Sequence, residues 1–258
     1  MEPMSKQDIR RKRIQRERQR RRSLLRFFVI TVIVFAFILF IFNTKLFGLK
    51  HINVSGNKNL STDDIIKASE LEIGENILKQ SLTEAKAKIK MNPYVEDAHL
   101  SRSSKDTVTI EIKERLIAAE FFSDSKYIYI DEKGTVLENS SSYKEGYPII
   151  KNFDKTHLEQ GENFYNTEVG ASLEELITEI SANNLVKDIK TIEKNQDLEV
   201  SLNYRNGLVV QLGELKDVRY KMKVLNELMI KLKEKGQVPK MIMFNKGKAP
   251  VVVLDTGE

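Results

Sequence analysis

The 258-residue chain contains no cysteine, and this absence removes several classes of chemistry at once. It excludes disulfide scaffolds, zinc sites built on thiolates and catalysis by a thiol nucleophile. It does not indicate a cellular compartment, because a domain with an adequate hydrophobic core is stable outside a cell without disulfides.

Other residues and motifs of catalysis are also scarce. The three histidines lie in different predicted elements without the spacing of metal ligands, and they are His51, His99 and His157. The sequence has no Gly-x-Ser-x-Gly motif, no phosphate-binding loop and no dinucleotide fingerprint. Neighbouring carboxylates on one element do not converge on a substrate, and the chain has three such pairs at Asp63-Asp64, Glu96-Asp97 and Glu174-Glu175. We therefore expect no catalytic, cofactor-binding or metal-binding residue, no cofactor and no small-molecule substrate.

The formal net charge of +5 is distributed unevenly. Residues 1–26 contain eleven basic and three acidic residues, a net charge of +8, so the rest of the chain carries −3. Arginine-rich segments occur in nucleic-acid-binding proteins, but such a segment beside an apolar run is typical of a membrane-topology signal that attracts anionic lipid headgroups. We expect membrane lipid as a partner and no nucleic acid.

The residues that follow form one long apolar run. Between Phe27 and Phe42 the only polar residue is Thr31, and no glycine or proline interrupts the run. A helix continued to Phe47 would be about 31 Å long, the thickness of a bilayer core. The run predicts a transmembrane helix over residues 27–47. Its membrane-spanning side chains include Phe27, Phe28, Val34, Phe40, Phe42 and Phe47.

Two other structures could explain an apolar run near the N-terminus. A buried core helix is disfavoured, because the run is apolar on all faces and has no single apolar stripe. A cleaved signal peptide is disfavoured, because the charged leader is long and no small-residue cleavage site follows the run. The positive-inside rule then predicts a single-pass protein of the cell membrane, with residues 1–26 as a cytoplasmic tail and the body extracytoplasmic.

The first part of the body, residues 48–116, predicts the order strand, helix, helix, strand, strand. Ser61 or Thr62 is a suitable N-cap for the first helix. Asn92-Pro93 ends the second helix, since proline cannot continue it. The segment from Thr107 to Lys113 alternates apolar and polar residues, as a half-buried strand does.

The second part, residues 117–254, predicts a larger domain with an antiparallel sheet and two packed helices, followed by a short tail at 255–258. The helices are expected at 168–183 and 215–235. The second has apolar residues at intervals of three and four; it could form a coiled-coil seam, but a stripe this short favours packing on a sheet. The fold class is therefore α+β, with an N-terminal transmembrane helix, a β-α-α-β-β module and this sheet domain.

One hairpin in this domain has a predicted register. A two-residue loop at Asn206-Gly207 would put the apolar residues of the two strands on opposite faces. A three-residue loop, Arg205 to Gly207, pairs Tyr204 with Leu208 and keeps them on one face. It also pairs Leu202 with Val210, and Val200 with Leu212. We predict the three-residue loop, with Gly207 in the left-handed region.

The body resembles a known family of bacterial proteins at three motifs. They are aromatic-Gly-x-x-x-Ile-x-Val-x-Gly-Asn from Phe47 to Asn57, Asn-Pro-x-Val from Asn92 to Val95, and Glu114-Arg115. With the single predicted span before them, these motifs resemble the POTRA module of the FtsQ/DivIB cell-division proteins. The resemblance implies a POTRA domain at 48–116 and a β domain at 117–254. It also implies a non-enzymatic scaffold of the divisome at the division septum, with FtsL-like and FtsB/DivIC-like proteins as partners.

In the FtsQ/DivIB family the partner contact is placed at the C-terminal edge of the β domain. The last strand of an open sheet has unpaired backbone groups to which a partner strand can add. The partner-binding residues implied here are Met241, Ile242, Phe244, Val251 and Val253. For each of them the alternative is a side chain in the domain's own core. The alternative for the whole protein is a membrane-tethered exported enzyme or ligand-sensing domain, which requires a pocket with converging polar groups.

Overall fold

The computed structural model describes residues 6–154, 156–247 and 249–255, with side chains from Arg20 onward. The chain divides into two units, one of Met1–Ile89 and Ala98–Ile112, the other of Lys90–Asp97 and Lys113–Glu258. Each unit has its own buried core, as the alternation of apolar and polar residues in the body predicts.

The first element is a long helix, α1 (Lys6–Asn43). Among the described residues, only its segment Arg20–Asn43 is long and apolar enough to cross a membrane, with a mean hydropathy of 2.9 and no buried part. The helix ends four residues earlier than predicted, because Thr44 is extended and its hydroxyl accepts from Leu46 N at 3.3 Å. Phe47, predicted to span the membrane, lies instead in the short 3₁₀ helix Lys45–Phe47.

The remainder of the first module follows in the order β1 (His51–Ser55), α2 (Thr62–Ser69), α3 (Leu82–Ile89), β2 (Val95–Arg102) and β3 (Thr107–Glu114). The strand order is β1-β3-β2, and β1 is parallel to β3. Ser61 is the N-cap of α2, since its hydroxyl accepts from Asp64 N at 3.1 Å. Apolar residues from both helices and from β3 fill the core, among them Ile65, Ile89, Val108 and Ile110.

The larger domain adds nine strands and two long helices within the described residues. The strands are β4 (Ile117–Ser123), β5 (Lys126–Asp131), β6 (Val136–Ser140), β7 (Ile149–Lys151), β8 (Ile189–Lys194), β9 (Val200–Tyr204), β10 (Val209–Gly213), β11 (Pro239–Met243) and β12 (Val251–Leu254). The helices are α4 (Glu168–Ala182) and α5 (Val218–Glu234). The strand order is β12-β11-β10-β9-β8-β7-β4-β5-β6. The sequence did not lead us to expect β4 or β8.

The sheet is mixed, whereas the sequence predicted antiparallel strands. The pairs β4–β7, β7–β8 and β10–β11 are parallel. Parallel neighbours need a crossover connection, and α4 and α5 supply two of them by linking β7 to β8 and β10 to β11. The apolar stripe of α5 is buried in the core, as predicted for packing on a sheet.

The hairpin of β9 and β10 has the predicted three-residue loop. Tyr204 N donates to Leu208 O at 2.8 Å, Leu202 pairs with Val210, and Gly207 has a φ of +93°. The register fails at the far end, where Val200 pairs with Gly213 and not with Leu212. A β-bulge between Gln211 and Gly213 causes this shift, because it adds a residue to one strand.

Candidate partner-binding edge

The predicted partner-binding residues lie on the last two strands of the large sheet and beside them. β11 is parallel to β10, and β12 is antiparallel to β11, with Met243 opposite Val251 and Met241 opposite Val253. Among the described residues no strand pairs with the other side of β12. Alternate backbone N–H and C=O groups of an edge strand point away from its neighbour. We call this side of β12 the open edge.

The five predicted residues divide between two faces of the sheet. Ile242 is fully buried in the core and has no exposed surface for a partner, and the partly buried Phe244 packs against the same core. Val251 and Val253 are 41% and 42% exposed. Met241, opposite Val253, is half-buried on their face. The prediction of partner contact is therefore kept for Met241, Val251 and Val253, while the side chains of Ile242 and Phe244 belong to the core.

One residue of this exposed face was missing from the prediction. Met243 is half-buried and opposite Val251, so it shares the face of Met241. The period of two along β11 would have indicated it. Together, Met241, Met243, Val251 and Val253 form an apolar strip along the open edge, which we call the edge strip.

The opposite edge of the sheet is closed by the chain itself. Val136 N of β6 donates to Glu162 O at 2.8 Å, and Gly161 N donates to Val136 O at 2.9 Å. The side-chain amide of Gln160 donates to Leu137 O at 2.8 Å. Residues 158–163, which we call the cover segment, thus pair the backbone groups of Val136 and Leu137 at the start of β6, which an edge strand usually leaves unpaired.

The outer face of the sheet is also covered at this end. Tyr143 packs against Tyr127, with ring centroids 5.5 Å apart, and Tyr147 packs against Tyr129 at 6.2 Å. Under these rings lies Glu120 of β4, which is fully buried. Within the described residues neither of its carboxylate oxygens has a hydrogen-bond partner.

Glu120 titrates unusually because of this environment. Burial raises its pKa to about 7, and the positive charge of Arg205 opposes this rise only in part. Arg205 is itself fixed by bonds from its guanidinium to Lys187 O at 3.0 Å and Tyr147 O at 3.2 Å. Glu120 therefore keeps its proton to a higher pH than an exposed carboxyl does.

A cavity of about 660 Å³ lies beside β4 and β7, where the alternative of an exported enzyme or sensor would require a site. Its walls are largely aromatic and aliphatic, including Phe121, Phe122, Phe153 and Phe164. Among the described residues no group of three His, Cys, Asp or Glu side chains is placed to hold a metal ion. The polar part of its lining comes from Lys151, Asn152, Asp154 and Thr156 and from the tyrosines Tyr127 and Tyr143.

Two of the acidic pairs noted in the sequence lie where their carboxylates stabilise nearby structure. Asp63 and Asp64 lie in the first turn of α2, where the helix dipole favours them. Glu96 binds Lys133 at 2.6 Å and Lys113 at 2.9 Å, and these two bonds lower its pKa to about 2. These carboxylates therefore stabilise local structure.

The chain matches two family models and several cell-division proteins. Residues 47–115 match the FtsQ-type POTRA domain, and residues 118–245 match the FtsQ/DivIB C-terminal related domain. The cell division protein DivIB of Clostridium acetobutylicum is 30% identical over 68% of this chain and 71% of that protein. DivIB of Clostridium tetani is 27% identical over 73% and 72% of the two chains, and FtsQ of Syntrophotalea carbinolica is 24% identical over 82% and 76%.

A solved structure, the major extracytoplasmic domain of DivIB from Geobacillus stearothermophilus, aligns over 47% of this chain and 97% of that one, at 12% identity and a TM-score of 0.32. The family assignment rests on the sequence matches, which cover both parts of the body. By these matches the chain belongs to the FtsQ/DivIB family of cell-division proteins.

Proposed function

We propose that this protein is a non-enzymatic scaffold of the bacterial divisome, located at the division septum. Its α1 helix spans the cell membrane once, with residues 1–26 in the cytoplasm and the body outside. The body comprises a POTRA domain at 48–116 and a β domain at 117–254. It holds FtsL-like and FtsB/DivIC-like division proteins, and the open edge of the β domain is the contact surface.

The observation that carries this proposal is the open edge itself. A strand whose backbone groups are unpaired is a template for one more strand, and natural sheets usually block such a template. Here the edge strip places two valines, each about two-fifths exposed, beside the unpaired backbone. An extended partner segment can gain hydrogen bonds from β12 and apolar contacts from the strip, which is the geometry of β-strand addition.

The test is co-reconstitution of the full-length protein with the FtsL-like and FtsB/DivIC-like proteins of the same organism, followed by affinity capture. In the test variant, Val251→Lys and Val253→Lys are combined. Lysine on an edge strand opposes strand addition, so we expect recovery of the partners to be lost.

The matched control is Ile230→Lys, which adds a lysine at a residue of α5 that is 57% exposed. It should leave recovery unchanged. Circular dichroism of each variant shows whether the fold is intact. Full recovery with the doubly substituted, folded protein would overturn the assignment of the open edge as the contact surface.

A further inference from the structure

The first residues after the membrane helix contact a loop of the POTRA domain. An antiparallel bridge joins Gly48 to Asn76, and Ile77 N donates to Phe47 O at 2.7 Å. Leu49 is held in the same way, since its N–H donates to Glu75 O at 2.8 Å. This loop, residues 71–79, is therefore hydrogen-bonded to the chain within a few residues of the end of α1.

Asn76 connects the loop to the helix directly. It is 6% exposed, and its side-chain amide donates to Ile41 O at 2.9 Å and to Phe42 O at 3.1 Å. The last carbonyl groups of a helix have no partner within the helix, so Asn76 acts as their cap. The residues on either side of Asn76 are therefore close to the last turn of α1.

Three aliphatic side chains of this region are exposed. They are Leu46, Ile73 and Leu78, with exposed fractions of 60%, 68% and 39%. Leu46 and Leu78 each lie two residues along the chain from the bridge between Gly48 and Asn76, and Ile73 precedes Gly74, whose N–H donates to Leu49 O at 2.7 Å. Exposed apolar residues scattered singly need no explanation, but a group of them at one site indicates a contact surface.

We propose that Leu46, Ile73 and Leu78 form a membrane-docking patch that inserts into the interfacial layer of the lipid bilayer around the exit of α1. This inference rests on α1 spanning the membrane, as the proposed function requires. We assign lipid as the occupant because of where the patch is attached. Leu46 follows α1 directly in the chain, and hydrogen bonds join the loop of Ile73 and Leu78 to the end of α1, where acyl chains and headgroups surround the protein. Docking would hold the POTRA domain against the extracytoplasmic surface of the cell membrane.

Charge does not explain this contact. The exposed charged residues near the patch have both signs, with Lys45 and Lys79 balanced by Glu72 and Glu75. Binding at the boundary of headgroups and acyl chains depends on buried apolar area and on attraction to anionic lipid, and the balanced charges near the patch leave mainly the apolar contribution. We therefore expect the same docking in zwitterionic vesicles and in vesicles that contain anionic lipid.

The absence of tryptophan makes the test simple, because any introduced tryptophan is the only one in the chain. The full-length protein is reconstituted into phosphatidylcholine vesicles as three single variants: Ile73→Trp, Leu78→Trp and the control Asn59→Trp. Asn59 is exposed in the loop that follows β1, a strand of about 17 Å that begins just after the patch. A fourth variant, Phe35→Trp, reports on the middle of the apolar run.

We expect the emission of Ile73→Trp and Leu78→Trp to shift to shorter wavelength and to be quenched best by lipids brominated close to the headgroup. Asn59→Trp should emit as in water and be quenched only by aqueous acrylamide. Phe35→Trp should be quenched best by lipids brominated deep in the acyl chain, which tests the span separately. If Phe35→Trp is quenched in this way but Ile73→Trp and Leu78→Trp emit as in water, α1 spans the membrane and docking of the patch is overturned. The patch would then be available to a protein partner.

A tryptophan could itself favour insertion, so a second reporter avoids this bias. The chain has no cysteine, and Ile73→Cys and Asn59→Cys each introduce a single thiol. We expect a charged, water-soluble maleimide to label Ile73→Cys more slowly than Asn59→Cys in vesicles. Equal labelling rates would contradict docking even if the tryptophan variants were quenched.

Discussion

The two edge strands of the large sheet, β6 and β12, differ in whether other parts of the chain bind their outward backbone groups. At β6 the cover segment binds backbone groups of Val136 and Leu137, and the rings of Tyr143 and Tyr147 lie over the outer face. At β12 the described residues provide neither a covering segment nor a covering ring. The chain thus pairs the start of one edge strand with its own cover segment and, within the described residues, leaves the other edge strand unpaired on its outer side. The difference supports a partner at the open edge.

The residues on the outer face of the sheet also differ between the β12 end and the β6 end. Near β12 it carries the edge strip, and in the middle it is polar, with Asn203 of β9 donating to Thr191 Oγ1 at 2.7 Å and to Glu193 Oε2 at 3.1 Å. Near β6 it carries a buried carboxyl under aromatic rings. The proposed contact surface at the open end thus coexists with a stability cost at the covered end, the buried carboxyl of Glu120.

The largest effect should come from placing the same substitution on both edges. Val136→Lys on β6 puts a charge at a fully buried position, and we expect a loss of about 4 kcal/mol in the free energy of unfolding. Val253→Lys on β12, where the side chain is 42% exposed, should change it by less than about 0.5 kcal/mol. Denaturant unfolding of the detergent-solubilised chain, followed by circular dichroism, measures both. Equal losses would remove the distinction between the edges.

The second effect concerns Glu120 and pH. Its pKa is about 7 in the folded chain and 4.5 in the unfolded reference, so the folded state holds this proton more tightly. Stability from this group is complete below pH 4.5 and is lost as pH rises to about 7, by at most about 3 kcal/mol. We expect Glu120→Gln to remove this loss and to make the protein more stable than wild type at pH 7.5.

The control is Glu132→Gln, a change at an exposed residue that follows β5. Unfolding measured from pH 4.5 to 7.5 should keep the wild-type slope in this variant. If Glu120→Gln kept the same slope, the carboxyl would not be the group that titrates, and its burial would have another compensation.

How much of this arrangement could be predicted depends on whether a residue's environment is repeated along its strand. The hairpin loop at Arg205 to Gly207 was predicted because both strands alternate cleanly. β4 was missed because four consecutive residues of it are buried, so no period of two appears. β8 was missed because a register shift between Ile189 and Thr191 breaks the alternation.

The candidate site was predicted only in outline for a related reason. The resemblance to the FtsQ/DivIB family implied a contact at the last two strands, but the run from Met241 to Phe244 is apolar throughout. Such a run has no polar residue to identify the solvent face, so the burial of Ile242 could not be predicted. The cover segment is irregular, and a loop that closes an edge has no periodic signature. Only tertiary structure reveals which edge is closed.

The third effect tests how the cover segment is supported. Gly170 lies in the first turn of α4, and a Cβ there would be 1.9 Å from Phe164 O, just beyond the cover segment. Alanine normally stabilises a helix relative to glycine by about 1 kcal/mol. Here we expect Gly170→Ala to destabilise by about 2 kcal/mol, because backbone must move. Gly146→Ala is the comparison variant, because a Cβ there meets open space while φ is +108°, so it carries the strain of a left-handed backbone without a clash. A stabilised Gly170→Ala variant would show that the backbone at Phe164 moves away from the new Cβ at little cost in free energy.

The smallest effect isolates one bond of the closed edge. Gln160→Ala removes the donor to Leu137 O and should cost about 1 kcal/mol, the worth of a single hydrogen bond, when unfolding is measured by denaturant. Gln237→Ala, at an exposed residue after α5, should cost nothing measurable. The sharper readout is hydrogen exchange: protection should fall in β6 and stay unchanged in β12, because only β6 depends on the cover segment. A uniform loss of protection across the sheet would mean that the two edges are not independent, and that closing one edge helps to hold the other.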